Sequence, residues 1–229
     1  MNRPLTACLA ALLCASTAGA YQTGDHELLT MPTAWTMDKG QSYFTDYELV
    51  CLNYNYGITP RTHIGVFTLF PVTAEMLRSL TLGMKQNWLQ GEKVSSALWL
   101  TYSPDFQGLT VGNVFSFGTP ANGFHAGACL VKGLENNSDF EDDGNTGPEE
   151  YVFMAGYRKD LGPRLSGLLE YYTSSSILDD GFNGLGNFGL RWRGENLAVD
   201  FGGMRPLSDT GDLLFIPYLK ATVMFGGKE

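Results

Sequence analysis

The segment that most constrains the fold lies near the C-terminus, where residues 213–225 read LLFIPYLKATVMF. From Phe215 onward every second residue is apolar, and the positions between them include Tyr218, Lys220 and Thr222. Successive side chains of a β-strand point to opposite faces of a sheet. The alternation therefore predicts a strand with one continuously apolar face and one face that carries a charge and hydroxyl groups.

An aromatic residue, Phe225, closes this strand almost at the C-terminus. In this it resembles the terminal strand of bacterial outer-membrane β-barrels, although residues 226–229 follow it here. The resemblance implies that the strand is an assembly signal, so the expected partners are the barrel assembly machinery and the lipid of the outer membrane. Oligomeric state is left open.

The rest of the chain supplies further strands of this kind, separated by loops that are alternately short and long, with the medium-length loop from Pro104 to Gly108 as the exception. Single-chain bacterial barrels have an even number of strands, short periplasmic turns and longer outer loops. We therefore predict an all-β fold, a closed antiparallel up-and-down transmembrane β-barrel of about twelve strands, with ten as the fallback. The twelve predicted strands cover 27–35, 41–56, 63–70, 80–89, 94–102, 109–117, 124–132, 151–158, 165–172, 187–193, 197–202 and 213–225.

The strand faces opposite the apolar ones collect charges of both signs. A membrane barrel turns such faces toward its lumen. The charges could line a narrow pore or form an ion-pair network that fills the barrel, and filling is the simpler interpretation. The predicted lumen-facing residues are Lys85, Arg158, Glu170, Arg191, Arg193, Asp200 and Lys220.

The N-terminus has the pattern of a signal peptide. Arg3 precedes the apolar stretch 5–15, and Ala18-Gly19-Ala20 matches a cleavage site. We expect residues 1–20 to be the signal and 21–229 to be an outer-membrane barrel domain. The formal net charge of −9 argues against a nucleic-acid partner, because phosphate binding requires a basic surface.

A second resemblance covers the start of the predicted domain. This region contains Met31-Pro32-Thr33-Ala34, then Lys39-Gly40, then a long aromatic strand that ends in Asn55-Tyr56-Gly57-Ile58-Thr59. This pattern resembles a poorly characterised group of bacterial outer-membrane barrels. The resemblance implies this fold and an outer-membrane location, and it implies no activity for any residue.

The longest loop carries the spacing of a calcium-binding EF-hand loop. Asp139, Glu141, Asp143 and Glu150 occupy positions 1, 3, 5 and 12, with Gly144 at position 6. Weak Ca²⁺ binding is one hypothesis, and a solvated acidic loop is the simpler alternative. No other cofactor is expected.

The sequence predicts a non-enzymatic outer-membrane barrel, either a narrow pore or a structural or surface protein. One alternative is a soluble exported barrel of the lipocalin type, which would turn the apolar faces inward around an apolar ligand. Another is a lipid-modifying barrel enzyme, which would place His63 or His125 within reach of a hydroxyl or carboxylate on a neighbouring strand. Cys51 and Cys129 are expected to be two separate thiols.

Overall fold

Twelve antiparallel strands close into a single barrel in the computed structural model, which describes residues 22–133, 149–175, 183–208 and 214–226. Each strand pairs with its neighbours in sequence, and the first strand also pairs with the last. The predicted fold class is therefore confirmed. The predicted signal peptide, at 1–20, lies outside the described residues.

The strands have the following bounds: Ser42–Tyr47 (β1), Cys51–Thr59 (β2), Thr62–Leu69 (β3), Thr81–Gln90 (β4), Val94–Ser103 (β5), Gly108–Gly118 (β6), Asn122–Gly133 (β7), Glu149–Asp160 (β8), Leu165–Ser174 (β9), Leu185–Arg193 (β10), Leu197–Pro206 (β11) and Ile216–Phe225 (β12). A short 3-10 helix, Ala74–Ser79, lies between β3 and β4. Among the described residues, no helix has the length and apolar character needed to cross a membrane.

The final strand closes the barrel as its alternation suggested. β12 pairs with β1 from Ser42↔Phe225 to Tyr47↔Lys220, and on its other side it pairs with β11. An exposed sheet edge would present unpaired backbone N–H and C=O groups. Closure removes both edges, so the backbone of every strand can be hydrogen-bonded along both sides.

The predicted number of strands, twelve, is correct, but two of the predicted strands are wrong. Residues 41–56 form the hairpin β1–β2, because Glu48 and Leu49 adopt left-handed backbone conformations (φ 57° and 59°) and reverse the chain. Residues 27–35 form no strand, and only an isolated bridge joins Glu27 to Pro32. This segment lies inside the barrel, where neighbouring strands cannot pair with it.

The apolar faces of the strands point outward and the charged faces point inward. On β4, for example, Leu82 and Met84 are exposed while Lys85 and Asn87 are buried. The exposed apolar side chains include Ile64, Leu98, Phe153, Leu169, Phe188, Phe201 and Leu219. The soluble-barrel alternative required the reverse orientation, and the structure contradicts it.

The connections define two ends of the barrel. Residues 60–61, 91–93, 119–121, 161–164 and 194–196 make short turns at the end where β1 begins and β12 ends, which we call the turn end. The opposite end carries the 3-10 helix and the longer connections, and we call it the loop end. The alternation of short and long connections follows the predicted pattern except at 48–50 and 104–107, which are short connections at the loop end.

One inward glycine makes room for a large aromatic side chain. Trp99 on β5 is paired with Gly112 on β6, and the indole lies directly over the glycine, where an added Cβ would overlap the ring. Trp99 also packs against the small apolar cluster inside the barrel. The missing side chain at position 112 therefore fixes where the indole lies.

We predict that Gly112→Ala destabilises the barrel, because the new methyl group displaces the Trp99 indole. Overpacking of this kind costs about 1–3 kcal/mol, so the temperature at which the folded band unfolds on semi-native SDS gels should fall. Gly162→Ala is the matched control, since an added Cβ there meets nothing within 4 Å. Equal unfolding temperatures for the two variants would contradict the role given to Gly112.

Candidate functional site

The lumen is filled by the N-terminal segment, residues 22–41, which we call the plug. It begins at the turn end, where Arg193 donates to the side-chain oxygen of Gln22. It rises to Thr30, whose hydroxyl lies 2.8 Å from that of Tyr172 on β9. It then returns to the turn end, where Thr36 donates to the carbonyl of Pro60. The plug is thus a loop that enters and leaves the barrel at the same end.

A few internal hydrogen bonds hold the plug in this shape. The Leu28 N–H donates to the Met31 carbonyl (2.8 Å), and the Thr33 N–H donates to the His26 carbonyl (3.0 Å). The side chains of Leu28, Leu29 and Met31 are fully buried. They form an apolar cluster with side chains of the barrel wall: Ala97, Val114, Met154, Leu168 and Tyr218.

Cations of the wall bind the backbone carbonyls of the plug. Arg191 donates to the carbonyls of Gly24, Glu27 (3.0 Å) and Leu28 (2.7 Å), and it also forms two bonds of 2.7 Å with Asp200. These contacts use all five N–H donors of its guanidinium group. The side chain is therefore fully satisfied although it is completely buried.

Other wall side chains repeat this pattern along the plug. Lys220 donates to the carbonyls of Leu28 (2.6 Å) and Leu29 (2.7 Å). Further donors to plug carbonyls are Lys85 to His26 and Trp35, Asn87 to Ala34, and Tyr218 to Leu29. A buried carbonyl must be hydrogen-bonded, and here wall side chains take the place of a neighbouring strand.

The N–H groups of the plug find acceptors in the same way. One carboxylate oxygen of Glu170 accepts from the N–H groups of Thr30 and Met31, both at 2.9 Å. The hydroxyl of Ser116 accepts from the Ala34 N–H at 2.8 Å. The wall is thus complementary to both kinds of backbone group in the plug.

Charges inside the barrel pair between the plug and the wall. In the described part of the chain, five inward cations and three carboxylates of the wall belong to the network around the plug, and the plug contributes two further carboxylates. Asp25 pairs with Arg158 at 2.5 Å, and Glu27 pairs with Lys220 at 3.2 Å. The wall groups are Lys85, Arg158, Arg191, Arg193 and Lys220, with Asp160, Glu170 and Asp200.

Two ionisable plug residues are buried at the centre of this network. Burial alone would raise the pKa of Glu27. Lys220, His26 and the Tyr47 hydroxyl stabilise the ionised carboxylate and lower the pKa by more than burial raises it, so the pKa lies well below its ordinary value of 4.5. Burial lowers the pKa of His26 below its ordinary value of 6.5. The seated plug therefore holds an ionised Glu27 and a neutral His26, whose ring stacks on Tyr43 with centroids 3.6 Å apart.

The structure places all seven predicted lumen-facing residues inside the barrel. Six of them contact the plug directly, and Asp200 reaches it through Arg191 and Lys220. The sequence did not identify their principal partners, the plug carbonyls and the carboxylates of Asp25 and Glu27. No side-chain pattern could reveal the carbonyls, since every residue has one.

The calcium hypothesis falls mostly outside the described residues. Asp139, Glu141 and Asp143 are not among them, and Glu150 lies in β8. Within the described ranges, no group of three or more His, Cys, Asp or Glu side chains could hold a metal ion. Calcium binding by this loop stays a prediction.

One histidine lies next to a hydroxyl, as the enzyme alternative required. His125 Nδ1 is 2.8 Å from the hydroxyl of Ser116 on the neighbouring strand β6. Both side chains are buried, and the same hydroxyl holds the plug at Ala34. The Ser116 hydroxyl therefore anchors the plug, and the Trp35 ring of the plug lies edge-on to His125. Cys51 on β2 and Cys129 on β7 are separate free thiols.

No protein-family model and no curated protein matches this chain. Similar solved structures include the Acinetobacter baumannii outer membrane protein Omp33, with 13% identity over 81% of this chain and 96% of that chain, at a TM-score of 0.43. Pseudomonas aeruginosa OccK5 (OpdH) has 12% identity over 80% of this chain and 62% of its own, at a TM-score of 0.40. A mutant Rh. blastica porin has 11% identity over 76% and 55%, at a TM-score of 0.38. The chain spans less than two thirds of the latter two.

We predict that Arg191→Met releases the plug. The substitution removes the wall donor of two plug carbonyls, those of Gly24 and Glu27, and one of the two cations of Asp200. Breaking a buried ion pair costs about 3–5 kcal/mol. Cleavage of folded protein by chymotrypsin at Leu28 or Leu29 should accelerate by at least about tenfold. Arg205→Met is the control, since Arg205 is exposed on β11. Unchanged cleavage in Arg191→Met would show that Arg191 does not anchor the plug.

We also predict that acid loosens the plug. A displaced His26 takes up a proton as the pH falls through about 6.5, whereas the seated residue resists protonation, so the free energy that holds the plug decreases. Below about 4.5 the contribution of ionised Glu27 declines as well. The groups around His26 are Glu27, Tyr43, His63, Lys85 and Lys220.

Chymotrypsin cleavage of the plug, corrected for the activity of the protease, should therefore be faster at about pH 5.5 than at about pH 7.5. His26→Gln should reduce this difference, because the amide does not titrate. A difference of the same size in His26→Gln and in the unmodified protein would assign the effect to other groups.

Proposed function

We propose that this protein is a non-enzymatic outer-membrane β-barrel that its own N-terminal segment holds closed, and that it serves a structural or surface role in this state. The observation that carries the proposal is the seated plug, with its backbone bound by inward charges of the wall. An open porin would leave such charges facing water. Here Arg158, Arg191 and Lys220 are each no more than 1% exposed.

The outward surface supports a membrane location. Apolar side chains cover it on strands all around the barrel, from Ile64 on β3 to Leu219 on β12. Monomeric soluble proteins rarely expose apolar patches larger than a few hundred Å², whereas a lipid-facing barrel requires such a surface. The expected partners are therefore outer-membrane lipid and the barrel assembly machinery.

A narrow pore is the second candidate, and two cavities favour it. One of about 360 Å³ lies on the loop-end side between the plug and β2–β5, and one of about 230 Å³ opens at the turn end beside β4–β6. Lys85 and Asn87 stand between them on β4, each bound to the plug. A shift of the plug away from β4 would join the cavities into a path through the barrel.

Single-channel recording in a planar lipid bilayer tests the closed state. We predict that the unmodified protein is silent, and that a variant lacking residues 22–37 conducts, because eight strands are just filled by side chains and twelve leave more space. A heat-shifted band on SDS gels must first show that the deletion variant still folds into a barrel.

The outcomes separate the alternatives. Steady conductance by the unmodified protein would overturn the closed state and favour the narrow pore. Recovery of the unmodified protein in the soluble fraction of broken cells, without detergent, would overturn the membrane location.

A further inference from the structure

The larger of the two cavities beside the plug has the features of a binding site for a small molecule. Its volume of about 360 Å³ is at the lower end of the range of ligand pockets, roughly 300–1,000 Å³. Thr30 and Pro32 of the plug form one wall, and β2–β5 form the others. Thr30 is exposed, so water reaches this part of the lumen.

The wall of this cavity offers hydrogen-bonding groups and one aromatic surface. Asn53 and Asn55 on β2 contribute amides, and Thr81 and Thr101 contribute hydroxyls. Amides and hydroxyls can both donate and accept, which suits a ligand that carries several hydroxyl groups. Trp99, held in place over Gly112, supplies a flat apolar surface of the kind on which a sugar ring packs.

The charge at the inner end of the cavity is positive and incompletely compensated. Lys85 lines the cavity, and its ammonium donates to two neutral carbonyls, those of His26 and Trp35, both at 3.0 Å. An ammonium has three donors, and Lys85 forms no ion pair with a carboxylate in the described part of the chain. Each of the other four inward cations does form one.

A buried histidine at the same end has a ring nitrogen that lacks a partner. His63 lines the cavity and is 4% exposed, and its Nδ1 has no hydrogen-bond partner among the described residues. Buried polar atoms without a partner are uncommon in folded proteins. His63 on β3 and Lys85 on β4 are cross-strand neighbours, so the unpartnered ring nitrogen and the third ammonium donor belong to a single site.

We propose that this cavity binds a small hydroxylated carboxylate, such as an acidic sugar or a polyhydroxy acid. The carboxylate accepts from Lys85 and His63 at the inner end. The hydroxyl groups bond to Asn53, Asn55 and Thr101, and the carbon skeleton lies against Trp99. Since two plug residues form one wall, the proposal rests on the closed barrel proposed above.

Isothermal titration calorimetry of the detergent-solubilised full chain with glucuronate tests the proposal. Saturable binding is expected at millimolar or lower concentration. Glucose lacks the carboxylate and should bind at least about tenfold more weakly, as expected when a hydrogen bond to a charged group is lost. Acetate lacks the hydroxyls and should also bind at least about tenfold more weakly, because several neutral hydrogen bonds are lost together. Gluconate, a linear acid, distinguishes a polyhydroxy acid from an acidic sugar as the ligand. An affinity equal to that of glucuronate indicates a linear acid, and weaker binding indicates a sugar ring stacked on Trp99.

Variants locate the site. Thr101→Val should weaken glucuronate binding about 3- to 10-fold, the usual effect of one lost hydrogen bond, because it changes the cavity without touching the plug. Thr59→Val, at the turn end of β2, should leave binding unchanged. Lys85→Gln should abolish the preference for glucuronate over glucose.

Two outcomes would overturn the proposal: no saturable heat with glucuronate, or equal binding by Thr101→Val and the unmodified protein. Single-channel recording on the same preparation separates this failure from the failure of the closed state. A silent barrel that does not bind glucuronate overturns the binding site alone, whereas a conducting barrel overturns the closed lumen on which the site depends.

Discussion

The structure depends on the pairing of buried cations with a backbone that has no neighbouring strand. Inside a barrel, an isolated segment cannot join the hydrogen-bonded ladder, and each buried carbonyl left unpaired costs about 1–3 kcal/mol. The wall meets this requirement with Arg191, Lys220 and Lys85, which together bind six plug carbonyls. The same contacts occupy most of the N–H donors of three cations that are almost completely removed from water.

Plug and wall are therefore interdependent. Without Asp25 and Glu27, the cations of the network around the plug would outnumber its carboxylates in the described part of the chain, and Arg158 would lose its 2.5 Å partner. Without the wall, the plug retains few hydrogen bonds of its own. The barrel itself is held by ladder hydrogen bonds that do not involve the plug. The plug is consequently the part of the molecule that can separate while the barrel stays folded.

Alternation makes the barrel predictable from sequence, because a period of two assigns each side chain to one of two faces. Alternation thus places Lys220 and Thr222 on one face of β12, and the apolar surface that lipid requires assigns that face to the lumen. The plug has no such period, and its acceptors are carbonyls that any sequence contains, so the strand predicted at 27–35 is wrong. The turn at Glu48 and Leu49 escapes prediction for a related reason. Neither residue is a usual turn former, yet both adopt positive φ, and Asp46 caps the turn by accepting from the Leu49 N–H.

The most direct test of the seated plug is a cross-link between it and the wall. Ala34→Cys and Ser116→Cys introduce two thiols where the Ala34 N–H now lies 2.8 Å from the Ser116 hydroxyl. On mild oxidation of the folded protein in detergent, mass spectrometry should find a peptide that joins residues 34 and 116 by a disulfide. If residue 34 is instead modified freely by a water-soluble thiol reagent and no cross-link forms, the N-terminal segment does not occupy the lumen, and the closed barrel is contradicted.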